Sequence, residues 1–172
     1  GLPGGALSLV AGGGREELAE LATQTGLVDL IIPRGGEGLK AALKGVATVP
    51  VIYAASGNCH VFVDASADLP RAQAIVLNAK LQRPGVCNAL ETLLVHREVA
   101  NQFLPEVLRA LTQAGVRLHG DQCARDAAPE IDIEPATDED WDQEYLALEL
   151  AVAVVDSAED AIAHVNAHGS GH

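Results

Sequence analysis

The 172-residue sequence has no methionine, and aromatic residues make up only 3% of it. Bases are also scarce, with 11 Lys and Arg against 24 Asp and Glu and a formal net charge of −13. With so few aromatics, Ala, Val, Leu and Ile must build the core. So few bases argue against a nucleic-acid partner, whose phosphates need clustered Lys and Arg. No apolar run approaches the roughly 18 residues that span a membrane, so no membrane association is expected. No basic stretch followed by an apolar one opens the chain, so no signal peptide is read there, and Gly1 in place of Met reads as a processed or trimmed start. Cys59, Cys87 and Cys123 are odd in number and widely spaced, which rules out full pairing within the chain. That pattern favours a reducing, cytoplasmic setting. What is plentiful is hydrophobic content, 48%, which excludes disorder as the main state. The length suits one compact unit or two incomplete ones.

Short apolar runs alternate with helical patterns along most of the chain. Strands are expected at residues 6–10, 28–32, 49–53, 60–64, 91–95, 116–119 and 148–156, several of them β-branched and nearly continuous in apolar character. Helices are expected between them, at 15–23, 38–44, 69–82, 97–114 and 157–167. In the third, Leu69, Ala72, Ile75, Val76 and Ala79 fall on one stripe, with Asp68 as N-cap and Pro70 in the first turn. In the fourth, Phe103, Val107, Leu108 and Leu111 align, and Gly115 supplies the stop. Ser157 and Asp160 fit a capping box. Strands alternating with helices of this length predict an α/β fold built on mainly parallel sheets with flanking helices. Residues 120–142 break the pattern. Ten of the 24 acids lie between Asp121 and Glu144, and that stretch is expected to be a solvated surface loop.

Two motifs carry chemistry. Ile31-Ile32-Pro33-Arg34-Gly35-Gly36-Glu37-Gly38 is a glycine-rich turn between a strand and a short helix. Backbone N–H groups at such a turn can approach an anion, and Arg34 can pair with phosphate through two parallel hydrogen bonds. A tight βα turn with a solvated Arg34 accounts for the same residues, and neither the Walker A nor the GxGxxG spacing is present. In the second motif, Pro84 and Gly85 end a helix and leave Cys87 in a turn before a strand, with Lys80 and Arg83 nearby in sequence. Such a cysteine can serve as a nucleophile of lowered pKa or can be a small buried hydrophobe. Cys59-His60 lacks the further ligands a metal site needs and reads as core packing at a strand start. Cys123 reads as incidental. His164, His168 and His172 recur every fourth residue, but Gly169 and Gly171 break the register and favour helix-end capping over metal.

Taken together, DLIIPRGG (29–36), CHVFVD (59–64), NAKLQRPGVCNALETLLV (78–95) and AIAHVNAHGSGH (161–172) closely resemble the γ-glutamyl phosphate reductases, or glutamate-5-semialdehyde dehydrogenases. Those enzymes belong to the aldehyde dehydrogenase superfamily and act in proline biosynthesis. The resemblance covers nearly the whole chain and weakens in the acidic segment. It implies a three-layer aldehyde-dehydrogenase-like architecture, truncated here, with residues 1–57 as the later part of a cofactor-binding domain and 58–172 as most of a catalytic domain. It also implies NADPH-dependent reduction of L-glutamyl 5-phosphate to glutamate 5-semialdehyde through a thioester on Cys87. The same resemblance implies a homo-oligomeric parent that associates with glutamate 5-kinase.

Further roles follow from the same resemblance. Arg34, Gly35 and Gly36 match the loop that faces the cofactor's phosphates, and Glu144 matches a glutamate that binds a cofactor ribose. Arg83 and Asn88 flank the nucleophile and are candidates for the substrate's phosphate or carboxylate, with helix-end roles as the alternative. Tyr53-Ala54-Ala55-Ser56-Gly57 stands where hydrolytic relatives carry a glutamate base, and it holds no acid. The competing interpretations are another acyl-phosphate or acyl-thioester reductase, the reductase part of a bifunctional pyrroline-5-carboxylate synthase, and a non-catalytic binding or assembly module that keeps the fold.

Overall fold

Local signals start most of the helices. Asp68 is the N-cap of one and accepts from the Arg71 amide at 3.1 Å, with proline in the first turn. Ser157 caps another through the Asp160 amide at 3.1 Å. The computed structural model describes residues 1, 3–10, 12–35, 37–53 and 57–172, with Glu37 described by its backbone alone. The chain divides into two units, Gly1–Ala54 and Ala55–His172.

The first unit holds α1 (Arg15–Ala22) and α2 (Glu37–Val46) around a small core of Ala22, Ile31, Leu43 and Val49. The strands expected at 28–32 and 49–53 reduce to isolated bridges, Thr25 with Val28 and Ile31 with Val51. Pro33 and Pro50 explain the shortfall, because neither has an N–H to extend a ladder past the Ile31–Val51 bridge. Residues 6–10 form no strand among the described residues. Leu7 and Leu9 are 94% and 97% exposed, and an extended run with nothing to pair against gains neither ladder nor core.

The second unit is a five-stranded, wholly parallel sheet. Its elements run β1 (Cys59–Val63), α3 (Leu69–Leu81), β2 (Leu90–His96), α4 (Arg97–Gln113), β3 (Arg117–Gly120), α5 (Gln122–Ala127), β4 (Glu134–Pro135), α6 (Asp138–Asp142), β5 (Glu149–Val155) and α7 (Ala158–His168). The strand order is β1-β2-β5-β3-β4, so the last strand in sequence lies in the middle of the sheet. Alternation along β5 sends Leu150 and Val152 to a core shared with α3, α4 and α5, and Ala153 and Val155 to a smaller one shared with Ala161 of α7 and Trp141. Helices therefore cover both faces, which is why the central strands are apolar on both sides.

Two local findings bear on the site. The pairing of β1 with β2 slips by one residue, since Cys59 pairs with Leu90 but His60 with Thr92, leaving Glu91 as the extra residue of a β-bulge. The bulge lets Leu90 and Leu93, three positions apart, face the same core. The acidic stretch is not the plain loop expected from its composition. It contains α5, β4 and α6, because Asp121 caps α5 through the Ala124 amide at 2.6 Å and Thr137 and Asp140 close a capping box on α6.

Candidate active site

Pro84 and Gly85 interrupt the chain after α3, and the next residues close a four-residue turn in which the Ala89 amide donates to the Val86 carbonyl at 3.0 Å. Cys87 and Asn88 occupy the two central positions of that turn, and both are exposed. Arg83 is exposed as well, where the chain leaves the helix. A cysteine on a turn tip ahead of a buried strand is accessible to a substrate while its backbone is held by the sheet behind it. Lys80, in contrast, is not a cation next to this thiol. It is wholly buried, and its Nζ donates to the Leu90 carbonyl and to Glu91 Oε2, both at 2.8 Å.

Residues distant in sequence meet at the same turn. A β-carbon on Gly57 would lie 1.6 Å from the Cys87 carbonyl oxygen, so only glycine allows this approach of two backbones. The Gly57 amide donates to Glu144 Oε1 at 2.7 Å. Glu144 therefore stands within one residue's contact of the Cys87 turn, and a carboxylate keeps acceptor capacity beyond that single bond. Cys59 Sγ donates to the Cys87 carbonyl at 3.4 Å and lies 3.9 Å from His172 Nδ1. Burial pushes the Cys59 thiol up, and the neighbouring Cys87, Glu91 and Glu144 add to the effect. Next in the chain, Asn58 is buried and ties three segments together. Its amide donates to Ser170 Oγ at 3.0 Å, and its Nδ2 donates to the carbonyls of Trp141 and His168 at 2.7 and 2.9 Å. All these groups gather at the amino ends of β1, β2 and β5, opposite the carboxyl edge at which open α/β sheets ordinarily bind ligands.

Sequence reasoning placed Cys87 and Glu144 separately and missed Gly57 and Cys59 as their neighbours. Cys59 does not act as core packing alone, because its thiol reaches the Cys87 carbonyl. Cys123 is on α5, 3.7 Å from Arg97 Nη1. His164 packs on α7 with its ring centroid 5.4 Å from His60, 5.3 Å from Trp141 and 4.6 Å from His168. Among the described residues, no group of three or more His, Cys, Asp or Glu side chains is placed to hold a metal ion. No helix among them is long and apolar enough to cross a membrane.

In the first unit, Arg34 and Gly35 are exposed just ahead of α2, whose first N–H groups are the kind of donor an anion meets. A β-carbon on Gly35 would press to 2.8 Å from Leu39 Cδ2, the tip of a half-buried side chain that can rotate away, so packing alone does not demand glycine there. Gly36, and Ala54 to Ser56 of the stretch without an acid, lie outside the described residues. A cleft of about 460 Å³ opens between Leu9, the Gly12–Gly14 run, Leu18 and Leu21 of α1 and Leu39 of α2. Three consecutive glycines before a helix are a sequence signal of the same type as Arg34-Gly35-Gly36.

Residues 1–139 match the model of the Aldehyde dehydrogenase family. The chain belongs to that family. A γ-glutamyl phosphate reductase of Syntrophomonas wolfei is 53% identical over 172 residues, which are 100% of this chain and 41% of that protein. A crystal structure of γ-glutamyl phosphate reductase from Thermotoga maritima superposes with a TM-score of 0.86 at 44% identity, covering 92% of this chain and 38% of that one. The fold alone extends further. A glyceraldehyde-3-phosphate dehydrogenase of Methanocaldococcus jannaschii, solved with NADP, gives a TM-score of 0.63 at 13% identity, over 87% of this chain and 41% of that one. The chain thus spans about two fifths of the length of the proteins it matches. The parallel sheet with helices on both faces is the fold expected from the resemblance.

Proposed function

We propose that the chain is the central part of an NADPH-dependent γ-glutamyl phosphate reductase, which converts L-glutamyl 5-phosphate to glutamate 5-semialdehyde and phosphate in proline biosynthesis. The observation that carries this reading is the exposed Cys87 on its turn, in a chain 53% identical from end to end to a reductase of that name. Residues 1–57 then belong to the cofactor-binding domain and 58–172 to the catalytic domain of a cytoplasmic, homo-oligomeric parent, associated with the glutamate 5-kinase that supplies its acyl phosphate.

The Cys87 thiolate attacks the acyl carbon of L-glutamyl 5-phosphate. The carbon–oxygen bond to phosphate breaks, and a thioester remains on Cys87. An acyl phosphate is already activated, so a good thiolate suffices. NADPH, when bound, supplies the hydride. Once the thioester carbonyl carbon is reduced, the thiohemiacetal on Cys87 collapses. Its carbon–sulfur bond breaks, the electron pair returns to sulfur, and the aldehyde leaves. The backbone N–H of Cys87 is one donor for the oxyanion of each tetrahedral species, and a second donor comes from sequence beyond this chain. Arg83 and Asn88, both exposed beside Cys87, suit the substrate's phosphate or carboxylate.

The residues present fit a nicotinamide cofactor. Arg34 and Gly35 before α2 suit its phosphates, with Gly36 beside them in sequence. Glu144 suits a ribose, since a carboxylate fixed by Gly57 through one oxygen can accept from paired hydroxyls. The deciding experiment replaces Cys87 by serine in the full-length reductase. Formation of NADPH from glutamate 5-semialdehyde, NADP and phosphate should vanish, and Cys59→Ser should retain it. Survival of activity in Cys87→Ser, or after alkylation of Cys87, would refute the reading. The isolated chain should show neither turnover nor tight NADPH binding.

A further inference from the structure

Glu91 is the extra residue of the β-bulge, within the buried run Ala89–Val95, and neither it nor Lys80 is exposed at all. Lys80 Nζ meets Glu91 Oε2 at 2.8 Å and takes the Leu90 carbonyl as a second acceptor at 2.8 Å. The other carboxylate oxygen, Oε1, accepts from the Leu146 amide at 3.2 Å. Leu146 is the one non-glycine residue described with positive φ, at 53°. A leucine in the left-handed region persists only where its surroundings hold it. Two residues upstream, Glu144 Oε1 accepts from Gly57, whose Cα side lies against the Cys87 carbonyl.

A buried ion pair is a poor way to gain stability. Desolvating two charges offsets most of their attraction, and apolar replacements of similar volume are often neutral or stabilising. Here burial alone would push Lys80 down and Glu91 up, and the contact between them opposes both shifts. What an apolar pair could not supply is a fixed acceptor for Leu146. Both oxygens of Glu91 are engaged, one on the end of α3 and one on the segment that carries Glu144.

We propose that Glu91 is a positioning residue, with Lys80 as the counter-charge that lets its carboxylate be buried: Glu91 pins Leu146 in its left-handed conformation and so sets Glu144 against the Gly57–Cys87 contact. The nucleophile turn and the cofactor carboxylate are thereby held to one another through a single buried side chain. This consequence for the cofactor rests on the assignment of Glu144 to the ribose, whereas the tie itself does not.

The test uses two double variants of the chain. Lys80→Met with Glu91→Gln removes both charges but keeps an acceptor for Leu146. Lys80→Met with Glu91→Met removes the acceptor as well. In NMR spectra, the Gly57 amide proton of the unaltered chain should carry the downfield shift of a donor to a carboxylate, and Glu144→Ala identifies that shift by abolishing it. The Met/Gln variant should retain the shift and the Met/Met variant should lose it, with the amides of β3, two strands away from the substitutions, unmoved in both. Retention of the shift in Met/Met overturns the proposal. Hydrogen exchange in the unaltered chain provides a test that needs no variant to fold. Leu146 and Gly57 should show matching protection, and a difference of more than about tenfold, or 1.4 kcal/mol, overturns the tie. In the full-length reductase, Met/Met should raise KM for NADPH about tenfold, the equivalent of one lost hydrogen bond, with kcat within about twofold. If the Gly57 shift is lost while KM is unmoved in both Met/Met and Glu144→Ala, the cofactor assignment of Glu144 is overturned and the tie stands.

Discussion

Gly57 and Cys87 touch through their backbones, so closely that a β-carbon on Gly57 would fall 1.6 Å from the Cys87 carbonyl oxygen and 2.7 Å from its Cα. Backbone cannot rotate away as a flexible side chain can. Gly57→Ala must therefore displace the Cys87 turn or the start of β1. Such overpacking costs about 1–3 kcal/mol. The expected outcome is a lower urea midpoint at unchanged m-value, together with a changed rate of Cys87 alkylation. An alanine variant that matches the original chain in both measurements would show that the contact is looser than described.

Two of the three thiols should react in a fixed order. Cys87 is exposed on its turn, whereas Cys59 is half-buried, with its thiol pushed up first by burial and then by Cys87, Glu91 and Glu144. Alkylation depends on the thiolate. A brief pulse of iodoacetamide at neutral pH, read by peptide mass spectrometry, should label Cys87 ahead of Cys59. Cys59→Ser should leave that labelling in place. Labelling of Cys59 first would contradict the described burial.

Asp121 holds two elements with one carboxylate. Its Oδ1 accepts from the Ala124 amide at 2.6 Å as the N-cap of α5, and its Oδ2 accepts from the Val154 amide of β5 at 2.9 Å. Asp121→Ala loses both bonds and leaves the Val154 donor short of a partner within the sheet. A cap is worth about 0.5–2 kcal/mol and an unsatisfied buried group about 1–3 kcal/mol. Destabilisation of about 2–3 kcal/mol is expected in chemical denaturation, with Asp121→Asn intermediate because its single carbonyl oxygen serves only one of the two donors. A loss under about 0.5 kcal/mol, typical of a plain surface site, would contradict this role.

That aspartate also shows what could be read from the sequence and what could not. The helices capped by Asp68 and Ser157 and the strands β1, β2 and β5 were legible because their signals are local, a cap within three residues or an apolar run. Asp121 carried the same signal, but the surrounding acids masked it as one more charge in a solvated stretch. The runs at 28–32 and 49–53 looked like strands because β-branched composition does not register the missing donors of Pro33 and Pro50. At the site, Cys87 was legible from Pro84-Gly85, which can only end a helix. Its contact with Gly57, and the bond from Gly57 to Glu144 across 87 positions, depend on which strands become neighbours. Lys80 misled for the same reason. Sequence proximity suggested a cation for Cys87, whereas the bulge at Glu91 draws it into the core.

Acid should weaken the α7 face of the second unit before it weakens the carboxylate contacts. His164 is pushed down to about 4 from an ordinary 6.5, chiefly by burial and next by His168 and His60, with Asp142 acting weakly in the opposite sense. His60 is lowered by burial as well. A histidine with a depressed folded-state pKa binds fewer protons folded than unfolded. Stability is then full above about pH 6.5 and is lost as the pH falls toward about 4, where the penalty levels off. Asp140 and Glu149 are lowered from carboxylate values of 3.8 and 4.5, so their share of stability is lost mainly below the histidine window. Thermal melts across this range should show two limbs, and His164→Leu should flatten the upper one while leaving the lower. The apolar replacement keeps the contact with Trp141 and removes the proton-binding site. A His164→Leu variant that loses stability between pH 6.5 and 4 as steeply as the original chain would assign the limb to another group, with His60 the next to replace.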